Sequence, residues 1–176
     1  MKYKSLGLIV LLAAFAGSAL AQNHISSTIK CTGKSDSDYT VQVGDYPGHI
    51  LVISKGGSCT NNPPIEIAGL KATQGHSSDG VSVADVTGAK FQDRGYIVTL
   101  MENGDKIYGA NQDTGIVTEG GKTTFEGTWS YTDGTGKFKG IKAKGTYKGS
   151  GDLTSGDLVL QVEGEYTLPG AGNQSK

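Results

Sequence analysis

The chain has 176 residues, of which 28 are glycine and 8 are tyrosine, and its formal net charge is −1. This length is sufficient for one ordinary domain with a single hydrophobic core. The slightly acidic balance argues against a general nucleic-acid-binding protein, for which a basic surface is typical.

The first 21 residues have the features of a secretory signal peptide. Lys2 and Lys4 form a basic region, residues 6–17 are almost entirely apolar, and Ala19 and Ala21 provide a small-residue cleavage motif. The apolar run is shorter than the roughly 20 residues that a bilayer span requires. We therefore expect cleavage after residue 21, no membrane insertion of the mature chain, and a secreted or periplasmic protein with a net charge of about −3 once the two lysines are removed.

Cys31 and Cys59 are the two cysteines of the sequence. In an oxidising compartment two such cysteines are expected to form a disulfide. A metal site built from them with His24, His49 or His76 lacks the close cysteine or histidine spacing that is typical of zinc sites, so no metal is expected.

From residue 22 onward, apolar residues alternate with polar ones between glycine-rich turns, and no long segment has a helical period. The earlier predicted strands, which are less regular than the later ones, comprise residues 25–32, 39–43, 49–54, 81–86, 95–101 and 106–110. Asn103-Gly104 is a strong hairpin signal between the last two of these. Pro63 and Pro64 exclude a central strand in their neighbourhood and predict an exposed crossing or an edge strand.

Three later segments each place apolar side chains on one face and polar side chains on the other. They are KTTFEGTWSY, IKAKGTYKG and DLVLQVEGEYTL, between residues 122 and 168. Gly127, Gly145 and Gly164 lie on the apolar faces, each two residues from an aromatic ring, which favours a tightly curved sheet whose rings lie over bare backbone. We therefore predict an all-β antiparallel barrel of eight or slightly more strands over residues 22–170, followed by a flexible tail at 171–176.

The segment 133–149 combines glycine and lysine, but it matches neither of the common phosphate-binding motifs. Phe138 follows Gly136-Lys137 where a P-loop has serine or threonine, and Lys139 stands at the third glycine of a dinucleotide fingerprint. The lysines further along are interpreted as the solvated face of one strand, opposite glutamates on neighbouring strands. A basic nucleic-acid-binding face is the alternative. We expect no nucleic-acid partner and no cofactor.

The segment YTDGTGKFKGIKAKGTYKG, between GKTTFEGTW and GEYTLPG, resembles the C-terminal part of a group of small secreted bacterial proteins, mostly uncharacterised, with the barrel fold of allene oxide cyclase and dirigent proteins. RGYIVTLMENGDKIYG is similar to the central hairpin of that group. The resemblance covers about half of the chain. It implies an eight-stranded, lipocalin-like antiparallel barrel that can hold a small apolar molecule, and it carries over no functional residue.

The interior of such a barrel is expected to bind or shelter a small hydrophobic ligand at an open end. The candidate ligand-binding residues are Phe125, Trp129, Tyr131, Tyr147 and Tyr166. One alternative is a cofactor-free isomerase or cyclase like the plant cyclase, which isomerises a fatty-acid epoxide. The other is a non-catalytic envelope or interaction protein with a filled barrel. A buried ionisable group with a shifted pKa beside the cavity would favour the enzyme.

Overall fold

A computed structural model describes residues 23–73 and 80–169; the expected signal peptide, His76 and the expected C-terminal tail lie outside these ranges. The described residues form β-strands and short 3₁₀ turns, without an α-helix. The strands are β1 (Asn23–Thr32), β2 (Ser37–Gln42), β3 (His49–Lys55), β4 (Ser58–Asn62), β5 (Glu66–Ile67), β6 (Leu70–Lys71), β7 (Val81–Thr87), β8 (Lys90–Leu100), β9 (Lys106–Val117), β10 (Lys122–Gly134), β11 (Lys142–Asp152) and β12 (Asp157–Thr167). Within these ranges no helix is long and apolar enough to cross a bilayer.

Ten of the strands form one antiparallel sheet in the order β2-β3-β7-β8-β9-β10-β11-β12-β1-β4. From β7 to β12 each strand pairs with the next one along the chain, and the earlier strands flank this meander on both sides. The two outer strands, β2 and β4, do not pair with each other in the part of the chain that the structure describes. The prediction of an all-β antiparallel fold is confirmed. The prediction of eight or slightly more strands closed into a barrel is wrong in its closure, because the sheet is strongly curled but open, and it has ten strands.

The two outer strands are shorter than the central strands of the sheet. β4 ends at Asn62, directly before Pro63, whose nitrogen has no hydrogen to donate to a neighbouring strand. β2 has six residues and β4 has five, whereas the central strand β8 has eleven. The sequence prediction of an edge strand or crossing beside the two prolines is confirmed.

The short connection between β3 and β4 shows how strongly the sheet curls. β3 ends at Lys55, next to one margin, and β4 at the other margin begins at Ser58. Three residues span at most about 11 Å, so these two strand ends lie close together. Cys31 and Cys59 occupy directly opposed positions of β1 and β4 and form the predicted disulfide. Because the ends of β3 and β4 lie close together, the sheet wraps around an interior. Its inner face is the face that carries the buried core.

A ring of the inner face lies over glycines of the neighbouring strands. A Cβ atom added to Gly145 or to Gly164 would lie 2.5 Å from the ring of Trp129. These positions require glycine because a side chain would meet the ring and also a backbone carbonyl oxygen, that of Glu163 at Gly145 and that of Lys144 at Gly164. The prediction that an aromatic ring lies over bare backbone at Gly145 and Gly164 is thus confirmed. A Cβ atom added to Gly127 meets no ring but lies 2.5 Å from Cβ of Asp113, so this glycine relieves crowding between strands.

The hydrophobic core fills one end of the curled sheet, near the end of β8. The hairpin β5–β6 covers this end, and Ile67 on the hairpin is completely buried. Phe138, from the 3₁₀ turn between β10 and β11, belongs to the same buried cluster. Phe91 near the start of β8 and Phe125 on β10 lie toward the opposite end, and both are only partly buried. The two ends of the sheet therefore differ in how well they are covered.

Candidate functional site

The five aromatic residues predicted to line a pocket all lie on the inner face. Trp129, Tyr131, Tyr147 and Tyr166 are buried, and Phe125 is partly buried and packs against the core. The ring centroids of Trp129 and Tyr131 are 5.1 Å apart, and those of Phe125 and Tyr147 are 6.3 Å apart. The strand alternation seen in the sequence is sufficient to explain this common face.

Three of these rings, besides Tyr147, use their polar atoms within the protein near the covered end. Nε1 of Trp129 donates to the carbonyl oxygen of Glu163 at 3.2 Å. The hydroxyl of Tyr131 lies 3.0 Å from Oγ1 of Thr99. The hydroxyl of Tyr166 accepts a hydrogen bond from the backbone N–H of Ala68 at 2.9 Å. A buried ring whose polar atom is already bonded serves packing and position. These three rings therefore fill the interior near the covered end.

A polar cluster that the sequence did not reveal lies next to these rings. Asp93 on β8 and Asp113 on β9 are directly opposed on the inner face. The hydroxyl of Tyr147 donates to Oδ2 of Asp113, and Nδ2 of Asn111 donates to the hydroxyl oxygen of Tyr147 at 3.1 Å. The side chains of Ser82 and Asn111 hydrogen-bond to Asp93. We term these five residues the acid layer.

The acid layer holds groups with shifted pKa values. Burial raises the pKa of Asp93 to about 6, and the neighbouring charge of Asp113 adds to the rise. Burial also raises the pKa of Asp113, although the hydrogen bond from Tyr147 opposes this rise. The pKa of Tyr147 is raised by burial and by its bond to Asp113. Near neutral pH the carboxyl pair can therefore both accept and donate a proton.

The acid layer has two carboxylates, Asp93 and Asp113, and carboxylates are common metal ligands. Within residues 23–73 and 80–169, no three histidine, cysteine, aspartate or glutamate side chains cluster in a way that could hold a metal ion. The acid layer itself consists of paired carboxyl groups, a tyrosine hydroxyl and neutral polar groups, which can form hydrogen bonds and transfer protons.

Asp93 and Asp113 escaped the sequence analysis because the strands that carry them were predicted too short. Residues 95–101 and 106–110 were predicted as strands, whereas β8 begins at Lys90 and β9 extends to Val117. In these extensions polar residues occupy both faces, so alternation gives no signal. Had the strand period been extended past residue 110, Asp113 would have fallen on the inner face with Gly115.

Beyond the acid layer, toward the less covered end, the inner face becomes apolar again. The ring centroids of Phe91 and Phe125 are 6.4 Å apart, and we term these two rings with Ile29 and Leu160 the apolar wall. Phe125 also contacts Tyr147, which joins the wall to the acid layer. Apolar side chains beside a few buried polar groups are the usual composition of a small-molecule site.

The outer face of the sheet is polar and carries cross-strand ion pairs. Nζ of Lys144 lies 3.4 Å from Glu165, and Nζ of Lys148 lies 3.5 Å from Glu126. These pairs fit the interpretation of the lysines as a solvated strand face. Two open troughs of about 800 and 1330 Å³ cross the sheet and are lined mostly by side chains of this outer face.

Comparison of the chain with protein-family models, with curated proteins and with solved structures finds no match. The likeness to the allene oxide cyclase barrel therefore stays a prediction from the segments quoted above. What the structure shows is the coarser architecture, an antiparallel curled sheet of ten strands.

Proposed function

We propose that this chain is a secreted protein that binds a small hydrophobic molecule against the apolar wall, at the end of the curled sheet opposite the β5–β6 hairpin. The signal-peptide features of residues 1–21 support export. The observation that carries the binding proposal is the difference between the two ends. Phe138 and the hairpin fill one end, whereas Phe91 and Phe125 toward the other are only partly buried.

The two parts of this region would have different roles in binding. Phe91 and Phe125 supply affinity, because burying one phenylalanine side chain contributes about 1.5–3 kcal/mol. The acid layer orients the ligand by accepting a hydrogen bond from a hydroxyl or amino group. Of the ligand-binding residues predicted from the sequence, Phe125 and Tyr147 belong to this region.

The test compares two variants of strand β8 in the binding of a fluorescent long-chain alcohol, whose hydroxyl can donate a hydrogen bond to the acid layer. Phe91→Ala removes a ring of the apolar wall, and Tyr96→Ala removes a ring on the outer face that is 76% exposed. We expect Tyr96→Ala to bind like the wild-type protein and Phe91→Ala to bind about tenfold more weakly or worse. Absence of binding by the folded wild-type protein, or an equal loss in both variants, would contradict the proposal.

A second candidate function is acid–base catalysis on the bound molecule, and the acid layer specifically favours it. A carboxyl group with a pKa of about 6 can take up a proton and return it near neutral pH. The corresponding reaction class is the isomerisation or cyclisation of a lipid-like substrate, in which a proton is removed at one atom and returned at another without a cofactor.

Unsaturated fatty-acid epoxides are suitable substrates for testing this second function. Turnover should show an inflection near pH 6, and Asp93→Asn should abolish turnover while weakening binding of the fluorescent probe much less than Phe91→Ala does. Binding without turnover across a series of epoxides would leave the binding function standing and reject the catalytic one.

A further inference from the structure

His49 is held between two carboxylates at the turn that joins β2 to β3. Its Nδ1 lies 2.7 Å from Oδ1 and 2.8 Å from Oδ2 of Asp45, and its Nε2 lies 3.0 Å from Oδ1 of Asp85. The ring of Tyr46 stacks on the imidazole with centroids 4.7 Å apart, and its hydroxyl is 3.0 Å from Oγ1 of Thr87. Asp45 and Tyr46 belong to the turn, whereas Asp85 and Thr87 belong to β7. The imidazole thus links the turn to β7.

This geometry suits the protonated form of the ring. A neutral imidazole carries one N–H, whereas here both ring nitrogens face carboxylate oxygens. In the neutral form, one nitrogen would direct a lone pair at a carboxylate. The contact with Asp85 is longer than the contact with Asp45, so the tautomer that keeps the shorter bond loses the link to β7.

We propose that His49 is a pH-sensitive latch, which fastens the turn at residues 43–48 to strand β7 when protonated and releases it when deprotonated. The hydrogen bond to Asp45 raises the pKa of His49 above its ordinary value of 6.5; burial opposes this rise and Asp85 adds to it. The latch therefore contributes stability in full below pH 6.5. That contribution is lost as the pH rises through the folded-state pKa of His49.

The charges around His49 favour this behaviour. Asp45 from the turn and Asp85 from β7 are negative and stabilise the imidazolium. Lys90 lies in the same cross-strand row on β8 and opposes protonation, but it is exposed, so solvent and salt weaken its effect. Val43, whose N–H donates to the carbonyl oxygen of His49 at 3.0 Å, brings no charge from the end of β2.

Hydrogen exchange of the wild-type protein at about pH 5.5 and about pH 8.5 tests the latch, after correction for the intrinsic exchange rate. We expect the amides of Val43, Tyr46 and His49, which donate hydrogen bonds within the turn, to be several-fold less protected at the higher pH. In His49→Gln their protection should be the same at both pH values, because the side chain no longer titrates. His24→Gln, which changes the exposed histidine of β1, is the matched control and should respond like the wild type.

Two results would overturn the proposal. One is equal protection of the turn at both pH values in the wild-type protein, and the other is a wild-type response that persists in His49→Gln. If His49→Gln does not fold, an NMR titration of the wild-type protein decides: a His49 pKa above 6.5 that shifts the turn amides supports the latch, and a pKa at or below 6.5 refutes it.

Discussion

We expect the ionisation of Asp93 in the acid layer to make the protein less stable at neutral pH than at acidic pH. The pKa of this carboxyl group is raised from 3.8 to about 6 in the fold, so the folded state binds the proton more tightly than the unfolded chain. A rise of this size corresponds to about 3 kcal/mol, which partial exposure of the side chain reduces. The stabilisation is complete below pH 3.8 and is lost as the pH rises through about 6.

Asp93→Asn removes the charge and keeps an amide oxygen that can accept hydrogen bonds from Ser82 and Asn111. We expect the variant to be more stable than the wild type by up to about 3 kcal/mol at about pH 7.5. For a chain of this length each kcal/mol raises the melting temperature by about 2–4 °C. The difference should shrink toward zero at about pH 4, where the wild-type carboxyl group is protonated in the fold.

Thermal unfolding followed by circular dichroism over a pH series measures this effect. Asp38→Asn, which changes an exposed aspartate on β2, is the control and should alter the free energy of unfolding by less than about 0.5 kcal/mol at any pH. The reasoning is refuted if the difference between Asp93→Asn and the wild type does not depend on pH. It is also refuted if the variant is the less stable protein at about pH 7.5.

Two further predictions concern packing and covalent structure. Gly145→Ala should lower the free energy of unfolding by about 2–4 kcal/mol in denaturant titrations, because the new Cβ collides with the carbonyl oxygen of Glu163 and displaces the ring of Trp129, whose Nε1 donates to that oxygen. Ser150→Ala, at an exposed position of the same strand, should cost far less, and equal losses would contradict the account. Cys31→Ser should cost about 3–4 kcal/mol by leaving a loop open in the unfolded chain. A reductant should lower the melting temperature of the wild-type protein but not that of the variant. A wild-type melting temperature that does not change with reductant would argue against the disulfide.

Alternation along the sequence located the strands that pack against the core on one side and face water on the other. β10, β11 and β12 have this character, so Trp129 and Tyr147 could be assigned to one face before the structure was known. The glycines of the same face could be interpreted because a glycine inside a strand requires a reason, and a ring lying over it supplies one.

Neither the open edge of the sheet nor the acid layer could be predicted from a local sequence pattern, because both depend on contacts between strands that are distant in the sequence. Closure requires hydrogen bonds between β2 and β4, which are distant in the sheet order, and neither strand's own sequence reveals whether a partner is in reach. Asp93 and Asp113 lie on the inner face, where the alternation rule expects apolar residues. Tyr147, Asn111 and Ser82 satisfy their hydrogen bonds from other strands, and this compensation is visible only once the strands are assembled.

The contact of Trp129 with two glycines makes three positions share a single volume. Gly145 belongs to β11 and Gly164 to β12, while the indole reaches both of them from β10. A smaller residue at position 129 leaves two places to refill, but it does not by itself make room for a side chain at either glycine, because an added Cβ would also meet the backbone carbonyl oxygen of Glu163 or of Lys144. Substitutions at the two glycines should therefore stay costly even beside a smaller residue at position 129, and a triple-mutant cycle would measure how much of that cost comes from the indole.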